Sequence, residues 1–283
     1  MARTALAVGA HPDDIEFMMA GTMLLLGRAG WRLHYMSVAS GSCGTTRLSR
    51  KKIVAVRARE ARAAARALGA AYHPPLVDDF EIYYEPQLLR RLAAVVREVR
   101  PRVLLLPSPL DYMEDHVNTA RLMVTAAFTR SMPNFRTAPP RAPAAGEVAV
   151  YHALPYGLCD LLRRPVRPEF FVDIAPVLDA KREALACHRS QKEWLDASQG
   201  LDSYLQAMVD MSAAVGRMSR KFQCAEGWTR HSHLGFGPED FDPLRRALAA
   251  CVAQDKTASP QRPQRSQRAQ REDWKKGEAR RVH

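Results

Sequence analysis

The sequence predicts an α/β fold: a doubly wound, mostly parallel sheet flanked by helices. Three observations carry that expectation. Short apolar runs alternate with helical patterns along the first 150 residues. One run, Val103–Leu106, is continuously apolar, as a strand buried on both faces must be. The segments that follow the strands are rich in polar and small residues, and in such sheets ligands sit beyond the carboxyl ends of the strands.

Taken in order, residues 4–9 read as a short buried strand and Ile15 to Leu26 as an amphipathic helix. Trp31 to Val38 is strand-like and ends in the small-residue loop "ASGSCGTT". Arg47 to Leu68 is dominated by Ala, Arg and Glu and stops at Gly69, a natural helix end. Pro86 to Val99 places Leu88, Leu89, Leu92, Val95 and Val96 at helical spacing. After the Val103–Leu106 strand, His116 to Thr129 is helical and Val148 to His152 is a further strand. Beyond Val166 the pattern is less regular. Pro176 to Arg189 forms a helix with proline in its first turn, Tyr204 to Ser219 is helical, and "CAEGWTRHSHLGFG" reads as irregular.

The chain has 283 residues, 47% hydrophobic and 25% charged, enough for one large domain with a substantial core. No apolar run approaches the roughly 20 residues of a membrane span, and no secretory signal opens the sequence. The five scattered cysteines include no CxxC pair and read as free thiols of a cytoplasmic protein. The net charge of +12 is concentrated toward the end, where residues 253–283 hold nine Lys or Arg against four Asp or Glu. That segment, rich in Gln, Pro and Ser, buries too little apolar surface to offset its ordering entropy and reads as a disordered tail. The expected organisation is one domain over residues 1–252 and a basic tail over 253–283. The tail offers at most weak nucleic-acid binding, and homo-oligomerisation is left open.

The chemistry lies in the loops. "AHPDD" follows the first strand, "SGSCGTT" the second, "SPLDYMEDH" the Val103–Leu106 strand and "HALPYG" the Val148–Tyr151 strand, so all four open on one face. His11 and Asp14 are three apart at a strand-to-helix turn, and His116 opens a later helix. Two histidines, one carboxylate and an open position form the ligand set of a catalytic zinc. Iron(II) accepts the same donors. Water on such an ion is acidified toward pKa 7, and Asp13 beside it can take a proton. The competing reading of Asp13-Asp14 is helix capping. A dinucleotide site is disfavoured, because only Gly9 of a GxGxxG loop is in place and two carboxylates would repel a pyrophosphate.

These motifs resemble the LmbE/PIG-L family of zinc-dependent N-deacetylases, whose Rossmann-like, three-layer fold agrees with the alternation of strands and helices read above. "AHPDD" matches the family fingerprint in full, and "RAREARAAARALG" (Arg57 to Gly69) resembles its Arg-x-x-Glu helix. "RPRVLLLPSPLDYMEDH" resembles the strand leading into its second metal motif. "KREALACHRSQ" and "AEGWTRHSHLGF" resemble later segments, so the likeness runs to about Phe236. It implies His11, Asp14 and His116 as metal ligands and Asp13 as general base. The implied reaction removes an acetyl group from an N-acetylglucosamine-type sugar or glycoconjugate. Arg57, Ser42 and Gly44 are candidate substrate contacts, Arg57 being equally readable as a helix-surface ion pair with Glu60. One departure matters. The family's second motif begins with a histidine that assists the scissile carbonyl or leaving amine, and here Met113 stands in its place; a thioether can do neither. His152, after a strand on the same face, is the first substitute, with Glu114, His231 and His233 behind it. Asp115 is expected to cap its helix or orient His116. Met113 also motivates two alternatives: a non-catalytic metal- or sugar-binding relative, and an amidase on a non-sugar substrate.

Overall fold

The computed structural model describes residues 3–192 and 204–255. An eight-stranded sheet runs in the order β3-β2-β1-β4-β5-β7-β6-β8. Its parallel part is β1 (Thr4–Gly9), β2 (Arg32–Ser37), β3 (Ala70–His73), β4 (Val103–Leu106) and β5 (Ala149–Ala153). Strand β1 lies between β2 and β4, and all six of its residues are buried. The remainder, β6 (Phe170–Asp173), β7 (Ala225–Arg230) and β8 (Val252–Gln254), is antiparallel.

Side chains alternate across a strand, so each strand feeds two apolar layers. Ala5, Ala7, Leu33, Tyr35, Leu105 and Tyr151 point to one face. That face is covered by α2 (Ala20–Arg28) and α3 (Arg50–Ala67), through Met23, Leu26, Ala61 and Ala65. Leu6, Val8, Met36, Leu104, Leu106 and Val150 point to the other. There α4 (Pro86–Val99) contributes Leu88, Leu92 and Val96, and α5 (Glu114–Phe128) contributes Leu122, Met123 and Ala126. The result is the three-layer, helix-sheet-helix arrangement expected from the sequence.

The largest departure at the amino end is a break in the helix expected over Ile15–Leu26. It divides into α1 (Asp14–Met18) and α2 at Met19, whose φ of −136° is outside the helical range. The break exposes the polar ends of two helices inside the protein, and each end is satisfied by a distant residue. Glu226 on β7 accepts the N–H groups of Gly21 and Thr22, both at 2.8 Å. Lys181, on α6 (Leu178–Leu185), donates to the Phe17 carbonyl at 2.9 Å and to Glu226 at 2.7 Å. Both side chains are buried.

Strand β7 falls where the sequence reads as irregular. Gly227 interrupts its apolar pattern, and Glu226 is a charged residue facing inward, so no strand period is visible. The expected tail boundary also shifts. Ala253 and Gln254 belong to β8, and the Asp255 N–H donates to the Glu169 carbonyl at 3.0 Å. Residues 256–283, where the disordered tail is expected, lie outside the described residues. Two further helices among the described residues are α7 (Tyr204–Ser219) and α8 (Pro243–Ala247). Among the described residues no helix is long and apolar enough to cross a membrane, and all five cysteines are free.

Candidate metal centre and active site

At the carboxyl ends of β1, β2, β4 and β5 a cavity of about 300 Å³ opens, in the size range of small-molecule sites. The four loops expected to share this face do so. His11, Asp13 and Asp14 come from the first, Gly41 and Gly44 from the second, Asp111 to Met113 and His116 from the third, and Leu154 and Tyr156 from the fourth.

One ligand atom each from His11, Asp14 and His116 lies within 4.8 Å of the other two. The rest of each imidazole is already committed. His11 Nε2 is 2.9 Å from Asp115 Oδ2, which leaves Nδ1, 3.8 Å from Asp14. His116 Nδ1 is 3.0 Å from Asp111 Oδ1, which leaves Nε2, 3.4 Å from Asp14. A carboxylate acceptor behind each ring fixes the tautomer and aims the free nitrogen inward, as in carboxylate-histidine-metal arrangements. The donor set therefore fits a zinc or iron(II) ion. Asp115, expected to cap its helix or orient His116, is bonded to His11 instead, and Asp111 holds His116. The same Asp115 Oδ2 also accepts the Phe80 N–H at 2.7 Å, which ties the wall of the cavity to this carboxylate.

The charges of the triad depend on one another. Burial alone would raise the Asp14 carboxyl, but His116 and His11 overcome it and hold the group well below the usual carboxylate range. Burial alone would lower His116, and Asp14 together with the Asp111 hydrogen bond raises it well above the ordinary imidazole value. His11 moves the same way, through Asp115 and Asp14 against burial. The carboxylates that favour protons on the two imidazoles equally favour a metal ion, which would bind in place of those protons.

Asp13 is held differently. Its φ of 100° is a left-handed conformation uncommon for a residue with a side chain, and its carboxylate makes no capping hydrogen bond. The capping reading of this residue therefore fails. Asp14, not Asp13, reaches back to the turn, accepting the Ala10 and His11 N–H groups at 2.8 Å. The Tyr204 hydroxyl donates to Asp13 Oδ2 at 2.5 Å, and Arg57 Nη2 lies 3.6 Å from Oδ1. Burial raises the Asp13 carboxyl despite Arg57.

Arg57 is fully buried and donates to the Pro12 carbonyl at 2.5 Å. It is no surface partner of Glu60, which instead accepts from the Ser190 N–H at 2.9 Å and its hydroxyl at 2.6 Å. Arg57 and Gly44 both line the cavity. Ser42 does not: its hydroxyl accepts the Asp79 N–H at 3.1 Å within its own loop. Asp79 in turn accepts the Gly41 and Cys43 N–H groups at 2.6 and 2.8 Å, and Asp78 accepts the Ser40 hydroxyl at 2.8 Å. This acidic pair, which sequence reasoning missed, fixes the loop that carries Gly44.

The substitutes for the missing histidine are not in the cavity. His152 is a corrected expectation. Its Nδ1 is bonded to the Pro107 carbonyl at 2.9 Å and its Nε2 to His231 Nδ1 at 3.1 Å, in the interior behind the cavity wall. Glu114 is exposed, and neither His231 nor His233 lines the cavity. Tyr112 does. Its half-exposed ring stands edge-on to His116 with centroids 6.0 Å apart. Burial, then Asp14 and Asp111, pushes this phenol up to about 12.

His152 has a different consequence. Burial lowers it to about 4, with His231 adding to the effect and the Pro107 carbonyl opposing it. A histidine harder to protonate folded than unfolded contributes stability that is intact above pH 6.5 and is lost as pH falls toward 4. The displacement is worth roughly 3 kcal/mol when complete. Urea midpoints measured from pH 7 to pH 4.5 should fall steeply in the wild type, and less steeply in His152→Asn. Parallel curves would mean that His152 does not titrate with unfolding.

The profile of the GlcNAc-PI de-N-acetylase family, PIG-L, matches residues 6–127. Diacetylchitobiose deacetylase from Thermococcus kodakarensis is 27% identical over 202 residues, 67% of this chain and 70% of that protein. The 4-oxalmesaconate hydratase of Pseudomonas putida is 30% identical over 200 residues, 67% of this chain and 74% of that protein. In three dimensions, N,N'-diacetylchitobiose deacetylase from Pyrococcus horikoshii superposes with a TM-score of 0.68 at 22% identity, over 84% of this chain and 88% of that one. With the "AHPDD" loop, the paired-carboxylate histidines and this fold in agreement, the chain belongs to the PIG-L (LmbE-like) family.

Proposed function

We propose that the protein is a metal-dependent deacylase that removes an acetyl group from the amide of an N-acetylglucosamine-type sugar or glycoconjugate. The observation that carries this reading is the pairing of an inward-facing His11–Asp14–His116 donor set with a separately supported carboxylate, Asp13, in one cavity. His11 Nδ1, a carboxylate oxygen of Asp14 and His116 Nε2 would hold the ion. When bound, zinc or iron(II) supplies Lewis acidity, polarising the acyl oxygen and acidifying water.

The chain's own residues do the rest. Asp13 takes the proton of the attacking water at Oδ1, because Oδ2 already accepts from Tyr204. Arg57 keeps Asp13 in place and leaves Nε and Nη1 without partners among the described residues. Those N–H groups lie under Gly41 and Gly44, so a shift of that loop would present them to sugar oxygens. Tyr112 takes over what Met113 cannot do. A phenol retains its proton at neutral pH and can donate to the oxygen of the collapsing amide or to the departing nitrogen.

A second reading, addition of water to an unsaturated acid, is favoured by Met113 and by the likeness to a hydratase. It uses the same metal and base without needing a leaving-group acid.

The test is metal analysis joined to amine release. Purified protein and His11→Ala are assayed for bound zinc and iron, then for amine and acetate release from N-acetylglucosamine and its glycosides. We expect near-stoichiometric metal in the wild type, its loss in His11→Ala, and release only from the loaded protein. Tyr112→Phe should keep the metal and lose ~10²-fold or more in rate, within the range of a positioned acid. Metal without release on any N-acetyl sugar would sink the deacylase reading, and absence of tightly bound metal would remove its foundation.

A further inference from the structure

We propose that the opposite end of the sheet carries a second site, which binds a small phosphorylated anion. A cavity of about 690 Å³ lies at the amino-terminal ends of β2, β1, β4 and β5. It is larger than the catalytic cavity and separated from it by the length of the strands. Thr4 opens β1 at its centre, in register with Arg32 on β2, and the Arg102 N–H ahead of β4 donates to the Thr4 carbonyl at 2.8 Å.

Six arginines line this space, with two acids among them. Arg141 is paired with Glu98 at 2.8 Å and Arg102 with Glu147 at 3.4 Å. Among the described residues Arg32, Arg97, Arg100 and Arg130 form no salt bridge, although Glu147 acts on Arg130 from a longer distance. Arg97 is buried and spends its terminal nitrogens on the carbonyls of Arg141, Thr129 and Met132, at 2.8 to 3.2 Å. Its Nε is buried with no partner. Arg130 donates from all three nitrogens to the Ala127, Gly146, Gly235 and Phe236 carbonyls at 2.8 to 3.1 Å. Carbonyl dipoles orient these guanidinium groups but do not cancel their charge, so four positive charges remain around one concavity. Burial lowers the Arg130 pKa against the opposing charge of Glu147, which reflects the cost of keeping that cation partly out of water.

An oxyanion in the cavity would offset that cost. The exposed guanidinium groups of Arg32 and Arg100 can each match phosphate oxygens two at a time. Arg97 and Arg130, whose terminal N–H groups are held by carbonyls, add charge; together the four favour a multivalent ligand over a single small ion. The rest of the wall is apolar, with Val96, Val99 and Ala144, which suits a carbon frame between or beside the phosphates. The volume is that of an organic phosphate, not of one inorganic ion. This site is independent of the catalytic assignment.

The experiment is isothermal titration of the metal-loaded, full-length protein with fructose 1,6-bisphosphate at constant ionic strength. The comparison variant is Arg32→Ser/Arg100→Asn. Both side chains are exposed, the Arg32 head group donates to the Thr4 hydroxyl at 3.2 Å, and asparagine tolerates the φ of 50° at Arg100. The expected result is saturable binding of one ligand per chain, weakened at least tenfold in the variant, with thermal midpoint and metal content unchanged. Absence of saturable binding overturns the proposal. So does equal affinity in the variant, which would place the phosphates on the basic carboxyl-terminal segment or at the catalytic metal.

Discussion

Asp13→Asn should lose ~10²–10⁴-fold in turnover while retaining its metal, the range expected for removing a positioned general base. Asparagine is the informative substitution because of the backbone. Asp13 sits at φ 100°, where asparagine is tolerated and alanine pays a left-handed penalty of about 1–2 kcal/mol. The amide oxygen can still accept the Tyr204 hydroxyl that reaches Oδ2 at 2.5 Å. What disappears is the negative charge and the basic oxygen. Arg57, 3.6 Å from Oδ1, keeps the Pro12 carbonyl as its acceptor, so a modest loss of stability accompanies the loss of rate. His11, Asp14 and His116 are untouched, and so are Asp111 and Asp115 behind the two rings. Metal content by atomic emission, measured on the sample used for rates, separates the two roles. Turnover within tenfold of wild type would assign the base elsewhere. Tyr204→Phe is the companion variant: it leaves the carboxylate but removes its donor, so its loss should be smaller than that of Asp13→Asn.

The parts of this site that the sequence made legible are those whose geometry is local. His11, Asp13 and Asp14 are fixed by one strand-to-helix turn, and the parallel core is visible because β1, β4 and β5 are short apolar runs with helices between them. His116 was readable because a parallel sheet must bring its loop to the same face. The supporting carboxylates were not. Asp115 reaches His11 across 104 positions of sequence and Asp111 reaches His116 from a turn whose shape no residue pattern specifies. The same applies to Asp79, which accepts from Gly41 and Cys43 and reads in isolation as half of an ordinary acidic pair. His152 misled for the converse reason. A histidine at the end of a strand on the catalytic face belongs there by topology, but its ring turns inward to Pro107 and His231. Tyr112 carried no signal because an aromatic beside an acidic loop is common. Strand β7 escaped notice because its periodicity is broken by a glutamate that Lys181 and the N–H groups of a distant helix make tolerable.

That lysine supports the prediction with the largest structural effect. Lys181→Met should cost about 3–5 kcal/mol, the range for removing one partner of a buried ion pair. Typical domains are stable by about 5–15 kcal/mol, so the variant is expected to be near its folding threshold. Methionine fills the space of the lysine stem, which confines the loss to electrostatics and hydrogen bonding. Glu226 would be left buried and charged, still accepting from Gly21 and Thr22, and the Phe17 carbonyl would lose its donor. Adding Glu226→Gln removes the stranded charge while leaving an oxygen for the α2 N–H groups. The double variant should therefore recover part of the loss, and the pair should show strong coupling in a double-mutant cycle. Urea unfolding of the four proteins supplies the measurement. A single-variant loss below about 1 kcal/mol would mean that the attraction barely exceeds the desolvation of both ions. The break at Met19 would then be held by α2 packing through Met23 and Leu26 instead. Because α1 begins at Asp14, metal affinity is the second readout: if the ion pair sets the angle between α1 and α2, Lys181→Met weakens metal binding although Lys181 touches no ligand, and the double variant restores it only as far as it restores the fold.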